Sequence, residues 1–382
     1  MKRFIILGST GSIGTSSLDV IARNPGLFTA VGLAAGNSAE IMAEQVERFR
    51  PEAISLRNTE AVAMISGLVG KKLPVYDGDD GILELIRSCQ ADAVINGLVG
   101  SAGVLPTLTA LEAGMDVLLA NKETMVMAGE IVMNTARRLG RRIVPIDSEM
   151  SAIYQCLKGE SSESIKRLVL TASGGPFVDT AADDLAKVTV EQALKHPTWS
   201  MGVKNTIDSA TMMNKGLEVI EASWLFDTPG DKIDVAIHRD SIVHSFVEYI
   251  DGSLLCQLSK PDMRLAIQYA MTDPNRVQSS FGGLDFDRCF SLTFEPPDMD
   301  RFPCLAIAYE ALMRGGTAPA AMNGANERAV EVFVEGKIGF NDIPRIIRAV
   351  VDKHPYRKDP VIDDLIETDI VSKRYVEEMV SE

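Results

Sequence analysis

The chain is short of cationic charge. Against 53 Asp and Glu it sets only 38 Lys and Arg, leaving a net charge of −15 over 382 residues. That balance excludes an extended basic surface for nucleic acid or for an anionic membrane. Any anionic small molecule must therefore be met by local groups. Cysteine is scarce and scattered. Cys89, Cys156, Cys256, Cys289 and Cys304 form no closely spaced pair, which argues against a disulfide framework or a thiolate zinc site and leaves buried, reduced thiols as the expectation. At the amino end the apolar run Phe4–Leu7 stops at a glycine turn. It is too short for a signal h-region or a membrane span, and the expected location is the cytoplasm. Internal repeats and low-complexity tracts are missing too. Apolar residues, in contrast, make up 46% of a chain long enough for more than one domain, so packed cores are expected rather than disorder.

Up to residue 146 short apolar runs alternate with amphipathic stretches. Arg3–Leu7, Ala30–Leu33, Ala53–Leu56, Ala93–Ile95, Val117–Ala120 and Arg142–Ile146 read as strands, with helices between them such as Ser16–Arg23 and Ala39–Phe49. This βαβ rhythm predicts a doubly wound parallel sheet of the Rossmann-like kind. After Asp147 the rhythm changes. A strand at Arg167–Thr171 runs into a Ser173-Gly-Gly turn, and Ser245–Ile250 is set to pair with Ser253–Leu258 across Asp251-Gly252. The expected organisation is an α/β cofactor domain over 1–146, an α+β domain over 147–275, a connecting segment over 276–300, and a helical bundle over 301–382. Helical patterns in the last part fall at Pro303–Arg314, Pro319–Glu335, Asp342–Asp352 and Val361–Glu378.

The first strand leads directly into Gly8-Ser-Thr10-Gly11-Ser12-Ile13-Gly14 and then into a helix. Glycines there permit a tight turn and close backbone approach, and the helix start offers N–H groups and a positive dipole to a pyrophosphate. Dinucleotide binding follows from this placement rather than from the glycines alone. The second strand is followed by Ala34-Ala35-Gly36-Asn37-Ser38. With no carboxylate there to repel a 2′-phosphate, NADP is favoured over NAD, and Arg57 is a candidate anchoring base.

Ligands of open sheets bind beyond the carboxyl ends of the strands. Three of those ends carry polar chemistry: Asn96-Gly97, Asn121-Lys122-Glu123 and Asp147-Ser148-Glu149. In an extended segment Asp147 and Glu149 point to one face, as a hard-cation site requires. A third oxygen ligand is available on the helical run Ser209–Glu221, where Asn214, Lys215 and Glu218 share a polar face. Spacing does not choose between Glu218 and Glu221. Phosphate recognition without a basic patch suits Ser173, Ser209, Asn214 and Lys215. Upstream, a capping box of Thr189 and Gln192 precedes His196-Pro-Thr-Trp199-Ser-Met-Gly202, a broken, aromatic-containing stretch with the makings of a lid.

In order and spacing these strings resemble the 1-deoxy-D-xylulose 5-phosphate reductoisomerase family, and the resemblance extends to Asn323-Gly-Ala-Asn326-Glu327 in the helical part. It implies conversion of 1-deoxy-D-xylulose 5-phosphate to 2-C-methyl-D-erythritol 4-phosphate in the non-mevalonate isoprenoid pathway, with NADPH and Mg²⁺ or Mn²⁺. A V-shaped homodimer is also implied, with an amino-terminal NADPH domain, a central catalytic domain and a carboxyl-terminal helical domain. By residue-to-residue match the metal acids are Asp147, Glu149 and Glu218, leaving Glu221 structural. Lys122, Ser148, Glu149, Ser173, His196, Ser209, Asn214, Lys215 and Glu218 match substrate positions. Thr10, Gly11, Ser12, Ile13, Gly36, Asn121, Glu123 and Gly202 match cofactor positions, and residues 196–202 match a mobile flap. The chain departs from the family after the second strand, where Gly36-Asn37-Ser38 places the asparagine one position early; Asn37 is taken as a cofactor contact. Two rival readings are a metal-independent NADP dehydrogenase and a non-catalytic NADP sensor, and intact carboxylates with Lys122 weigh against the second.

Overall fold

The computed structural model describes residues 1–69, 72–199, 201–287 and 291–381. Ser200 in the expected flap and Cys289 in the connecting segment lie outside those residues. The chain forms two compact units. The first comprises Met1–Thr124, Val132–Ser151 and Asp262–Gly282, and the second comprises Met125–Ile131, Ala152–Pro261 and Gly283–Glu382.

In the first unit seven strands, β1 (Lys2–Leu7), β2 (Phe28–Ala35), β3 (Ala53–Leu56), β4 (Val75–Asp77), β5 (Ala93–Asn96), β6 (Asp116–Leu119) and β7 (Ile143–Pro145), form one sheet. Their order is β4-β3-β2-β1-β5-β6-β7, with every pairing parallel. Ile5, Ile6 and Leu7 of β1 and Val94 and Ile95 of β5 are fully buried. Such near-continuous apolar runs are what a parallel sheet covered on both faces demands. Winding runs outward in both directions from β1, so the strand order reverses between β1 and β5, where such sheets open a crevice at their carboxyl ends. The expected doubly wound architecture is therefore what the chain adopts.

Two features differ from the sequence reading. Strand β4 is additional, so the ends at Asn96, Asn121 and Asp147 follow the fifth, sixth and seventh strands rather than the fourth to sixth. The helix Met263–Thr272 belongs to the first unit, although chain order groups it with the central segment. Long-range polar contacts hold it there: Arg264 Nη1 lies 2.8 Å from Asp19 Oδ2, Lys2 Nζ donates to the Met271 carbonyl at 3.0 Å, and Arg142 Nη1 meets Asp273 Oδ2 at 2.9 Å.

The second unit holds a mixed sheet of β8 (Ile165–Ala172), β9 (Ile233–Ile237), β10 (Val243–Tyr249) and β11 (Leu254–Leu258), in the order β11-β10-β8-β9. The hairpin expected across Asp251-Gly252 forms there, with Gly252 at φ +86°. The carboxyl-terminal helices Cys304–Arg314, Ala318–Val334, Asp342–Lys353 and Ile362–Ser381 follow. Of these Ala318–Val334 is buried along most of its length, including Asn323 and Asn326.

Candidate active site

In the first unit the carboxyl edge of the sheet is built for a phosphorylated ligand. Gly8 leaves β1 at φ +79°, and a Cβ there would lie 2.6 Å from the Gly97 carbonyl. Gly14 is still more confined, since its Cβ would lie 2.2 Å from Gly8 O and 2.4 Å from Ser9 Cα. These two glycines let the helix Ser12–Arg23 start hard against the end of β1. Its first turn carries no acidic residue and Gly11 supplies no side-chain cap. The N–H groups and dipole of that turn are therefore disposed toward an anion. Thr10, Gly11, Ser12 and Ile13 all sit on this turn. Gly36 and Asn37 follow β2 at the same edge. Arg57 lies just after β3, its backbone N–H donating to Ala35 O and its exposed guanidinium paired with Asp79 at 2.7 Å.

Asn121, Lys122 and Glu123 are buried, which a solvated turn would not be. Asn121 caps the helix Lys122–Leu139, its Oδ1 accepting from Thr124 N at 3.0 Å. Its Nδ2 donates to the Leu98 and Gly100 carbonyls at 3.0 and 2.9 Å and to Glu123 Oε2 at 3.1 Å. One side chain thus ties the ends of β5 and β6 together. Lys122 Nζ lies 2.6 Å from Asp147 Oδ2, both side chains being mostly buried.

Asp147 and Glu149 depart from the extended geometry expected of them. The helix Ser148–Cys156 begins between them, with the Asp147 carbonyl accepting from Ser151 N at 2.8 Å and Asp147 Oδ1 accepting from Ser148 N at 3.1 Å. The cause is local: a carboxylate and its own carbonyl satisfy the first N–H groups of a helix, and the dipole favours acids there. Ser148 Oγ donates to Glu149 Oε2 at 2.5 Å.

The second unit carries the other polar cluster. The run Ser209–Glu221, expected as one helix, is two, Val203–Ala210 and Met213–Leu225, separated by Met212 at φ +63°. Beyond that corner Asn214 Nδ2 donates to Glu218 Oε1 at 2.5 Å and Lys215 Nζ donates to Glu218 Oε2, so the expected polar face is present. Lys215, Glu218 and Glu221 are all buried.

Before the corner, Ser209 Oγ and Ser173 Oγ each lie 3.1 Å from His196 Nε2. His196 Nδ1 accepts from the Thr198 and Trp199 N–H groups at 3.1 and 2.9 Å. The ring proton therefore resides on Nε2. Burial holds the imidazole below its ordinary pKa and so neutral. One N–H and two hydroxyls converge as a cradle able to meet an anion without net charge. The Ser173-Gly-Gly turn closes onto it: Gly175 has φ +70°, and a Cβ there would meet Ser209 O at 2.6 Å. Gly202 caps the start of the helix Val203–Ala210, and the capping box of Thr189 and Gln192 forms.

Sequence reasoning overlooked two groups. Gln45, on the inward stripe of the helix Ala39–Phe49, donates to Ser9 O at 2.9 Å and braces the glycine turn. Asp208 lies fully buried beside Ser209. A polar residue at an inward helical position was the available signal for both.

A glycine turn at the edge of a doubly wound sheet and a separate hydroxyl and imidazole cradle are the equipment of a nicotinamide-dependent oxidoreductase whose substrate is small and anionic. Family models agree and are more specific. The model described as 1-deoxy-D-xylulose 5-phosphate reductoisomerase matches residues 4–129, and two models of its C-terminal domain match 143–226 and 258–375. The reductoisomerase of Chlorobium phaeobacteroides is 49% identical over 97% of this chain and 96% of its own, and that of Geobacter metallireducens 47% identical over 100% and 99%. A crystal structure of DOX-P reductoisomerase in complex with NADPH, fosmidomycin and magnesium superposes with a TM-score of 0.95 at 39% identity, covering 100% of this chain and 98% of that one. The enzyme from Zymomonas mobilis in complex with NADPH gives 0.92 at 36%, with 99% of each chain covered. The chain belongs to the 1-deoxy-D-xylulose 5-phosphate reductoisomerase family.

Proposed function

We propose that this protein rearranges and reduces 1-deoxy-D-xylulose 5-phosphate to 2-C-methyl-D-erythritol 4-phosphate, with NADPH and Mg²⁺ or Mn²⁺, in the non-mevalonate route to isoprenoids. The observation that carries the reading is Lys122, a buried ammonium held by Asp147 at the sheet edge that also bears the glycine turn. A bland turn would leave that lysine in water.

The residues fit both cofactors. Gly8 and Gly14 clear the space at a helix start without acids, and Thr10, Gly11, Ser12, Ile13, Gly36, Asn37, Asn121, Glu123 and Gly202 serve NADPH. Asp147, Glu149 and Glu218 make an all-oxygen donor set of the kind hard cations take, and Glu221 stays structural. Bound there, the metal supplies Lewis acidity to the substrate's carbonyl and hydroxyl oxygens, and NADPH supplies the hydride. Lys122 polarises the reacting oxygens, and Ser148 holds Glu149 in place. Ser173, His196, Ser209, Asn214 and Lys215 bind and orient the phosphate end, which fixes the reacting carbons relative to the nicotinamide. The segment 196–202 closes over the substrate.

Residues 1–146 are assigned to cofactor binding, 147–275 to catalysis apart from the helix Met263–Thr272, which groups with the first unit, 276–300 to connection and 301–382 to the helical domain. The assembly expected of the family is a homodimer, and a monomer in sedimentation would overturn that part. Among the described residues no helix is long and apolar enough to cross a membrane, and the assigned location is the cytoplasm.

The test follows NADPH absorbance with 1-deoxy-D-xylulose 5-phosphate, with Mg²⁺ or Mn²⁺ present and then chelated, for the wild type and Glu218→Gln. Oxidation should require metal and vanish in the variant while NADPH binding persists. Oxidation indifferent to chelation points to a metal-independent dehydrogenase, and none at all points to a cofactor sensor.

A further inference from the structure

A carboxylate lies buried one residue from the anion cradle with no role in the proposed chemistry. Asp208 has no solvent exposure. It pairs with Lys204 Nζ at 2.8 Å, one helical turn earlier, and its Oδ1 accepts from Asn326 Nδ2 at 2.9 Å. Asn326 is itself fully buried, in the middle of the helix Ala318–Val334. Its partner lies 118 residues away in sequence. An aliphatic side chain would pack such a position more cheaply than a hydrogen-bonded charge, so the pair specifies a position rather than mere cohesion.

What it positions is the corner between Val203–Ala210 and Met213–Leu225. Thr211 Oγ1 donates to the Asp208 carbonyl at 3.2 Å, and the chain then reverses through Met212. Ser209 lies on one side of the corner and Asn214, Lys215 and Glu218 on the other. The Ser173-Gly-Gly turn abuts this corner closely, since a Cβ at Gly175 would fall 2.6 Å from the Ser209 carbonyl oxygen. A small slide of the corner would therefore misplace Ser209 Oγ relative to His196 Nε2.

We infer that Asn326 is a positioning residue for the reaction, fixing through Asp208 the corner that carries Ser209, and so setting affinity for the phosphate group of the substrate. The inference rests on the assignment of Ser173, His196 and Ser209 to the phosphate. A helix of the carboxyl-terminal region thereby takes part in substrate recognition without touching the substrate.

The test uses the full chain as wild type and Asn326→Leu, which keeps the branched shape and heavy-atom count but removes the donor. Inorganic phosphate, titrated calorimetrically, should bind the variant about tenfold more weakly or worse, with NADPH affinity unchanged. In turnover, KM for 1-deoxy-D-xylulose 5-phosphate should rise by a similar factor while kcat stays within about twofold. If Asn326→Leu does not fold, Lys204→Met, which removes the other partner of Asp208 from a less buried site, takes its place and should show the same split. Wild-type phosphate affinity in the folded variant overturns the inference, as does loss of kcat at unchanged KM. A wild type that binds phosphate but does not turn over the sugar phosphate sinks the proposed reaction and leaves this inference to the phosphate titration. A wild type that ignores phosphate sinks the cradle and the inference with it.

Discussion

Replacing Gly14 by alanine should remove most of the protein's hold on NADPH. The added Cβ would lie 2.2 Å from Gly8 O, 2.4 Å from Ser9 Cα and 2.6 Å from Ser9 C, all backbone atoms of the turn itself. Ordinary carbon contacts begin near ~3.5 Å, so the helix start must withdraw by roughly 1 Å. Such overpacking costs about 1–3 kcal/mol in stability. The withdrawal also pulls backbone N–H groups away from the pyrophosphate. Losing one hydrogen bond to a charged group costs about 1.5–3 kcal/mol, a rise of roughly 10- to 150-fold in the NADPH dissociation constant. Fluorescence titration of NADPH reads the affinity, and thermal unfolding reads the stability. Gly67→Ala is the control: it lies in the helix Thr59–Leu68 with nothing within 4 Å of its Cβ, and it should bind NADPH normally and gain about 0.5–1 kcal/mol. A Gly14→Ala protein with wild-type affinity would refute the argument that this helix start holds the cofactor.

Asn121→Ala should destabilise the first unit by about 2–3 kcal/mol, through the lost cap and two lost bonds to the Leu98 and Gly100 carbonyls; urea unfolding indistinguishable from wild type would contradict this. Burial depresses the His196 pKa below 6.5 in the folded state. Its contribution to stability is therefore complete above about 6.5 and is lost as pH falls through the lower folded value. Protonating Nδ1 evicts the Thr198 and Trp199 N–H groups, so NMR of the ligand-free protein should show those amides shifting together with a midpoint under 6.5, and a midpoint at or above it counts against the buried neutral ring. Arg57→Ala should weaken NADPH by roughly three- to tenfold while leaving NADH unchanged, as for one partly exposed charged contact. Equal weakening of both would remove Arg57 from the 2′-phosphate.

Much of this was legible in the sequence because the signals were local. The apolar run Ala53–Leu56 and the amphipathic helix Ala39–Phe49 form with the ends that their periodicity sets, and the glycine turn announces itself by following a strand and opening a helix. Strand β4 went unread because three residues, none of them buried, carry no alternation to detect. The placement of Met263–Thr272 depends on Arg264 meeting Asp19 across 245 positions, which no local pattern encodes. The break at Met212 was hidden because methionine at positive φ is imposed by tertiary packing rather than by a turn residue. At the site, spacing found Asn214, Lys215 and Glu218 but left Glu218 and Glu221 equivalent. Asp208 carried no assignment, because its partner Asn326 lies 118 positions away and no local pattern links the two.

The two lysine and carboxylate pairs, Lys122 with Asp147 and Lys215 with Glu218, bear on how the protein is born. Two of the three acids assigned to the metal, Asp147 and Glu218, have an ammonium of their own chain beside them, so the polypeptide brings counterions of its own. A zinc finger stays unfolded until its ion arrives, whereas this chain is expected to fold before its metal is bound. On the proposed assignment, metal loading exchanges positive charge for positive charge and should be reversible without loss of the fold. A chelated preparation should melt near the temperature of the loaded one and regain turnover when the ion is returned.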